Sequence, residues 1–310
     1  MNKIKVFIDG QAGTTGLQLK SKLVNHPYVT LLEIDEDKRK NSAERQRLMN
    51  ESNVVFLCLP DAAAIEAVKL VTNPDTVIID ASTAHRTADG WTYGFPELSD
   101  KHYNAIKNAK RIANPGCHAT GFISVVYPLV SSGVMPTSYP VTAHSITGYS
   151  GGGNKMIADY EDPDRAEEIG TPRQYGLGQT HKHLPEMKKV TGLDSEPVFN
   201  PIVSDYYCGM AVSVPIYTSL LNKKMSAEEL YIFFSDYYKN SEFITVHKTP
   251  KSGFLSPIGL EGTNKMNIYV FGNEDRVTIT SVFDNLGKGA SSAAIENMNI
   301  AMGFPIATAL

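Results

Sequence analysis

With 310 residues, 42% hydrophobic and 20% charged, the chain carries enough apolar material for two domains with sizeable cores. Its net charge of −4, without a dense basic cluster, argues against nucleic acid as a partner. No apolar run nears the roughly 20 residues of a membrane-spanning helix, so no membrane partner is expected.

The opening residues enter a strand pattern at once, from Lys3 to Ile8, and no signal peptide is expected. Gly10-x-x-Gly13-x-x-Gly16 follows, then a helical pattern to Val24. Strand, glycine turn and helix are the start of a dinucleotide-binding unit, in which backbone N–H groups meet a pyrophosphate. The spacing departs from G-x-G-x-x-G, and a tight turn without a ligand is the plain alternative. Val29 to Ile34 reads as a second strand, ended by Asp35-Glu36-Asp37-Lys38-Arg39-Lys40. An acid here suits a ribose hydroxyl and a base suits a 2′-phosphate. The reading leans to NADP through Lys38, Arg39 or both, against a merely solvated charge run.

Asn53 to Leu59 is a third strand, and Asp61 is expected to cap the Ala-rich helix that runs to Val71. Thr76 to Asp80 is a fourth, followed by the polar loop Ala81-Ser82-Thr83-Ala84-His85-Arg86. Such a loop lies at the carboxyl edge of a parallel sheet, where ligands bind, and Arg86 suits a phosphate or carboxylate. Tyr93 to Leu98 reads as a turn. Arg111-Ile112-Ala113 then leads into Asn114-Pro115-Gly116-Cys117, and a helical pattern spans Phe122 to Val130. A thiol at a helix N-terminus is favoured as thiolate, the nucleophilic form, although a free cysteine is also an ordinary core residue.

Beyond this helix the pattern changes. Val141 to Ile146, Val198 to Val203, Gly209 to Tyr217, Met266 to Phe271 and Arg276 to Val282 read as strands of an antiparallel-rich sheet. Gly148 to Lys155 is a glycine-rich loop able to cradle an anion, to lie against a nicotinamide or to serve as a linker. Met225 to Tyr238 and Ser291 to Met302 read as helices, the last expected to dock on the first domain. In His181-Lys182-His183-Leu184-Pro185-Glu186, His183 and Glu186 sit one turn apart if a helix starts near Pro185. That pair suits acid/base work. His-x-His also suits a metal, but no third ligand is near, and a surface pair is the plain alternative. Cys58, Cys117 and Cys208 lie far apart without CxxC, which argues against disulfides and zinc and fits a reducing cytoplasm.

Five motifs occur in order: Asp80-x-Ser82-x-x-x-Arg86, Tyr93-Gly94-Phe95-Pro96-Glu97-Leu98, Asn114-Pro115-Gly116-Cys117-x-Ala119-Thr120, His181-x-His183-x-Pro185-Glu186 and Asn285-Leu286-x-Lys288-Gly289-Ala290. Together, over almost the whole chain, they resemble the N-acetyl-gamma-glutamyl-phosphate reductase family, shorter type, which is similar in fold to aspartate-semialdehyde dehydrogenase. The resemblance implies a Rossmann-type doubly wound parallel sheet plus an α+β catalytic domain with a mixed, antiparallel-rich sheet. The expected boundaries are 1–117 with 287–310 for the dinucleotide domain and 118–286 for the catalytic and oligomerisation domain.

It further implies NADPH-dependent reduction of an acyl phosphate in arginine biosynthesis. Cys117 is then the nucleophile, and His181, ahead of His183, the acid/base. Gly10, Gly13, Thr14, Thr15 and Gly16 carry the pyrophosphate, with Lys38 and Arg39 toward the 2′-phosphate. Ser150, Gly151, Gly152 and Asn285 border the nicotinamide. Ser82, Arg86, Asn114 and Glu186 are expected on the substrate. No metal is expected, and a dimer or tetramer is. The family usually has Tyr where this chain has His118, so a second imidazole stands beside the thiol. Aspartate-semialdehyde dehydrogenase, a non-catalytic NADP-binding regulator and a thiol hydrolase are the competing readings.

Overall fold

Short apolar runs separated by a dozen or more residues favour parallel strands with helical crossovers. A computed structural model, describing residues 3–310, shows that arrangement in the first half of the chain. The elements there are β1 (Ile4–Asp9), α1 (Thr14–Leu23), β2 (Val29–Leu32), α2 (Ser42–Glu51), β3 (Val54–Leu57), α3 (Asp61–Leu70), β4 (Val77–Asp80), β5 (Thr92–Tyr93), α4 (Asp100–Asn108) and β6 (Arg111–Ala113). The strands form one parallel sheet in the order β2-β1-β3-β4-β6-β5. The order reverses beside β1, which opens a crevice at the carboxyl ends of β1 and β3.

The pleat divides the core. Val6, Ile8, Val54 and Phe56 face α1 and the C-terminal helix, through Leu19, Leu23, Ile295 and Met298. Phe7, Val55 and Leu57 face α2 and α3, through Leu48, Met49, Ala64 and Ala67. Both faces are covered, so these strands are apolar throughout rather than alternating.

The chain divides into two units. One runs to Pro115 and takes in Ala290–Leu310; the other is Gly116–Gly289. Cys117 and residues 287–289 therefore belong to the second unit rather than the first. The C-terminal helix (Ser292–Met302) is part of the first unit, packed on its sheet. It is buried all round, with Asn297 and Asn299 among its buried residues. Asn297 Nδ2 donates to Gly94 O at 2.9 Å and to Asn114 Oδ1 at 3.1 Å.

The second unit holds α5 (Cys117–Ser131), β7 (Thr142–Gly148), α6 (Gly153–Glu161), β8 (Arg173–Gln174), α7 (Leu184–Thr191), β9 (Val198–Ser204), β10 (Met210–Tyr217), α8 (Ala227–Tyr237), β11 (Ile244–His247), β12 (Met266–Gly272) and β13 (Arg276–Phe283). Its mixed sheet runs β11-β12-β13-β10-β7-β9-β8, antiparallel except for β7/β9 and β11/β12. Helix α5 lies on this sheet, and a Cβ at Gly121 would stand 2.5 Å from Val212 Cγ2 and 2.9 Å from Phe283 Cε1. Among the described residues no helix is long and apolar enough to cross a membrane.

Several expectations shift. Helices α2 and α4 appear where none was expected, and the Gly148–Lys155 loop is a 3-10 turn (Tyr149–Gly152) running into α6. Helix α5 starts at Cys117, not Phe122, because its small and polar first turn is itself buried. Asp61 does not cap α3; it is the first helical residue, and its carboxylate accepts from Thr83 N–H at 2.9 Å.

Asn297→Ala strips the donor from two acceptors, Gly94 O and Asn114 Oδ1, inside the first unit. Leaving buried acceptors unpaired costs about 1–3 kcal/mol. Urea unfolding of the variant is expected to show that loss, with an unchanged slope.

Candidate active site

In the first unit, Gly10 leaves β1 at φ +89°, and a Cβ on it would stand 2.2 Å from Cys58 O. A Cβ on Gly16 would stand 2.4 Å from Gly10 O. Only glycine fits either place, so the turn presses α1 against the ends of β1 and β3. A cleft of about 590 Å³ opens there, lined by Gly10, Gln11, Ala12, Gly13, Arg39 and Arg45 among others. That volume and the bare backbone at its rim fit a dinucleotide. Arg39 and Lys40 reach the cleft; Lys38 does not line it, and its ammonium pairs with Asp35 at 2.6 Å. The short helical turn Glu36–Lys38 sends Lys38 back toward Asp35. Thr14 and Thr15 open α1 above Gly13.

Sequence reasoning missed Arg45. It crosses from α2 to the cleft and binds the buried Asp9 carboxylate, Nη2 to Oδ2 at 2.6 Å. The signal available was Asn41-x-x-Glu44, an N-terminal cap pattern, and Asn41 Oδ1 does accept from Glu44 N–H.

The loop after β4 is organised by Asp80. Its carboxylate accepts from Ser82 N–H at 2.9 Å, Ser82 Oγ at 2.6 Å and His85 Nδ1 at 2.6 Å. Ser82 thus serves the loop itself. Arg86 donates from Nε to Asn114 O at 2.9 Å and from Nη2 to Ala81 O at 3.1 Å, so its guanidinium is held in a fixed plane. Asn114 is buried and already bonded on both ends of its amide. Its Nδ2 donates to Ala290 O at 2.9 Å and its Oδ1 accepts from Asn297.

In the second unit, Cys117 is the first residue of α5, and Gly116 is its N-cap. Gly116 N–H donates to Glu186 Oε2 at 3.2 Å, and Glu186 is buried in the first turn of α7. His183 stands at the N-cap position of that helix without a side-chain capping bond, and Pro185 is in its opening turn. His181, His183 and His118 gather beside this end of α5, with ring centroids 4.7 Å (His181 to His183), 5.3 Å (His118 to His181) and 5.5 Å (His118 to His183) apart. His183 N–H donates to His181 Nδ1 at 3.2 Å, which orients the His181 ring. Thiol, imidazoles and a buried carboxylate together supply a nucleophile and proton carriers. Cys58 and Cys208 are different: burial first, then nearby carboxylates, pushes each thiol up to about 12. Elsewhere in the unit Asn285 accepts from Gly209 N–H at 2.8 Å and donates to Ser150 Oγ at 3.1 Å, which fixes the 3-10 turn of Ser150, Gly151 and Gly152. Among the described residues no group of three or more His, Cys, Asp or Glu is set to hold a metal ion.

The chain is 43% identical to the N-acetyl-gamma-glutamyl-phosphate reductase 2 of Nostoc sp., over 98% of each chain. It is 43% identical to the reductase of that name from Chelativorans sp., over 96% of this chain and 97% of the other. The chain belongs to the N-acetyl-gamma-glutamyl-phosphate reductase family. Residues 5–106 match the semialdehyde dehydrogenase NAD binding domain, and residues 117–285 the semialdehyde dehydrogenase dimerisation domain. In fold the chain is similar to a probable aspartate-semialdehyde dehydrogenase from Pseudomonas aeruginosa, with a TM-score of 0.74 at 13% identity over 97% of this chain and 99% of that one.

His118 directly follows Cys117, and its surroundings decide what it does. It is fully buried, with Nδ1 2.7 Å from Ser145 Oγ and Nε2 2.6 Å from Tyr175 Oη. Neither partner was singled out from the sequence, where nothing marks them. Burial, then the charges of His181 and Lys182, pulls His118 down to about 3. It is a neutral imidazole at working pH and carries no proton for catalysis.

Because His118 titrates near 6.5 when unfolded and near 3 when folded, the unfolded state takes up the extra proton between those values. Its contribution to stability is whole above pH 6.5 and is eroded as pH falls toward 3. His118→Gln is expected to flatten the fall of melting temperature with acidification across that window, relative to the parent.

Proposed function

We propose that this chain reduces N-acetyl-gamma-glutamyl phosphate to N-acetylglutamate semialdehyde and phosphate with NADPH, through a thioester on Cys117. The observation that carries the reading is Cys117 at the start of α5, with His181, His183 and Glu186 around it, in a chain 43% identical to a reductase of that name along nearly its full length.

Arg86 holds the anionic groups of the acyl phosphate, its guanidinium plane fixed by two main-chain carbonyls. Cys117 sulfur attacks the acyl carbon, the C–O bond to phosphate breaks, and phosphate leaves with its electron pair. NADPH, when bound, supplies the hydride that reduces the thioester. The resulting hemithioacetal loses its proton, the C–S bond breaks, and the aldehyde is released. His181 moves the proton: its Nδ1 accepts from His183 N–H, so Nε2 is the exchanging atom. Glu186, fixed on Gly116 N–H, keeps an anionic partner near the imidazoles.

Gly10, Gly13 and Gly16 carry the pyrophosphate, and Ser150, Gly151, Gly152 and Asn285 border the nicotinamide. Arg39, at the cleft and paired with the exposed Glu36, is the group for the 2′-phosphate. Exchanging a surface carboxylate for a phosphate is inexpensive, because exposed pairs contribute about 0–1 kcal/mol. The chain acts in arginine biosynthesis, in the cytoplasm, where three free cysteines stay reduced.

A second copy of the chain is the expected partner. On β10 the residues Val212, Val214 and Ile216 are buried, while Ser213, Pro215 and Tyr217 are not; on β7 the exposed His144 pairs with Ser213 and the exposed Ile146 with Ala211. An uncovered sheet face with Ile146 and Tyr217 on it suits a self-complementary interface.

The test runs the reaction backward, with N-acetylglutamate semialdehyde, phosphate and NADP⁺, and follows reduced nicotinamide. Turnover should require phosphate, and Cys117→Ser should lower it by about 10⁴-fold or more. Turnover with aspartate semialdehyde alone moves the substrate assignment; a Cys117→Ser protein that keeps its activity sinks the thioester.

A further inference from the structure

Ser145, His118 and Tyr175 form a chain of hydrogen bonds inside the second unit, and its direction follows from counting donors. Ser145 is fully buried on β7, and His118 Nδ1 is its hydroxyl's one partner among the described residues. A neutral imidazole has a single N–H and a single lone pair. If Nδ1 carried the hydrogen, it would donate to Ser145, whose own O–H would then be buried without an acceptor. That costs about 1–3 kcal/mol. If Nε2 carries it, Ser145 donates to Nδ1, Nε2–H donates to Tyr175 Oη, and every buried donor is used. Tyr175 is only part-buried, so its own O–H need not end on the protein.

That hydroxyl is left pointing away from His118. The Tyr175 ring faces His181, 5.9 Å between centroids, and its Oη bonds the residue that follows Cys117. Burial and the Cys117 charge both raise the Tyr175 pKa, so the phenol keeps its proton. We propose that Ser145 and His118 are positioning residues which hold the Tyr175 O–H as a hydrogen-bond donor toward the oxygen of the acyl group on Cys117. The proposal rests on the thioester reading. A neutral donor aimed at that oxygen gains strength as negative charge builds on it.

The first test is the tautomer. In protein labelled with ¹⁵N-histidine, long-range ¹H–¹⁵N correlation reads which nitrogen of His118 bears hydrogen, with His118→Gln to assign the signal. Hydrogen on Nε2, unchanged between pH 6 and about 9 for a group this far below its ordinary range, is expected. Hydrogen on Nδ1 overturns the proposal. The second is a kinetic cycle with Ser145→Ala, Tyr175→Phe and the pair. Ser145→Ala should lower kcat about tenfold and leave KM for the acyl phosphate in place, as for an interaction made in the transition state. Tyr175→Phe should lower it by about 10²-fold. In the Tyr175→Phe background, Ser145→Ala should have no further effect; equal effects in both backgrounds reject the relay. The tautomer is read without substrate, so a failed substrate assignment and a failed donor chain give different results.

Discussion

The Asn114 amide is the interaction on which the rest depends. The chain leaves the first unit at Pro115 and returns to it at Ala290. Asn114 Nδ2 bonds Ala290 O, and Asn114 Oδ1 is taken by Asn297 on the returning helix. Departure and return are thereby fastened to each other by one buried side chain. Within the second unit the same two ends also meet: a Cβ on Gly289 would stand 2.8 Å from Cys117 Cβ. Any residue larger than glycine at 289 would press on the Cys117 side chain. Asn114, expected on the substrate, also serves as a structural clasp. Its carbonyl still matters to the site, because it accepts from Arg86 Nε.

The histidines around Cys117 are alike in type and unlike in environment. His118 lies in the first turn of a helix buried on nearly every side, and both its nitrogens are occupied by neutral hydroxyls. Burial disfavours a positive charge there, and two cationic neighbours oppose one. His181 is only part-buried and receives its orientation from the main chain of His183. In the proposed mechanism the enclosed ring transmits direction, and the accessible one exchanges protons. The family resemblance puts His181 ahead of His183 and sets His118 only beside the thiol; the environments separate all three.

What the sequence made legible was set by periodicity and by punctuation. Apolar runs such as Val54–Leu57 declare a strand buried on both faces, and the glycines at 10 and 16 declare the turn beside it. Helices α2 and α4 were not legible, because α2 buries only Leu48 and Met49, and α4 only Ile106. With so few buried positions, helical period barely registers, although Asn41 and Ser99 cap these helices in the usual way. Cys117, His181, His183 and Glu186 were legible as residue types in spaced motifs. Arg45, Ser145 and Tyr175 were not. Each acts through a contact with a residue 27 to 57 positions away (Asp9, |i−j| 36; His118, |i−j| 27 and 57), and one sequence carries no trace of such pairings.

Strand register joins the site to the outer face of the same sheet. On β7 the pleat sends Ala143, Ser145 and Thr147 inward and His144 and Ile146 outward. All seven residues of β7 are aligned with β9 in parallel, and four with β10 in antiparallel pairing, so the strand is gripped from both sides. A slip of one residue would exchange the two faces. It would bring His144 under α5 in place of Ser145 and take the hydroxyl from His118, while turning Ile146 away from the surface assigned to a second copy. One register therefore sets both the donor chain behind the nucleophile and the face open to a partner. A second copy seated on that face would press on β7 and β10 from outside, adding to what already holds Ser145 in line.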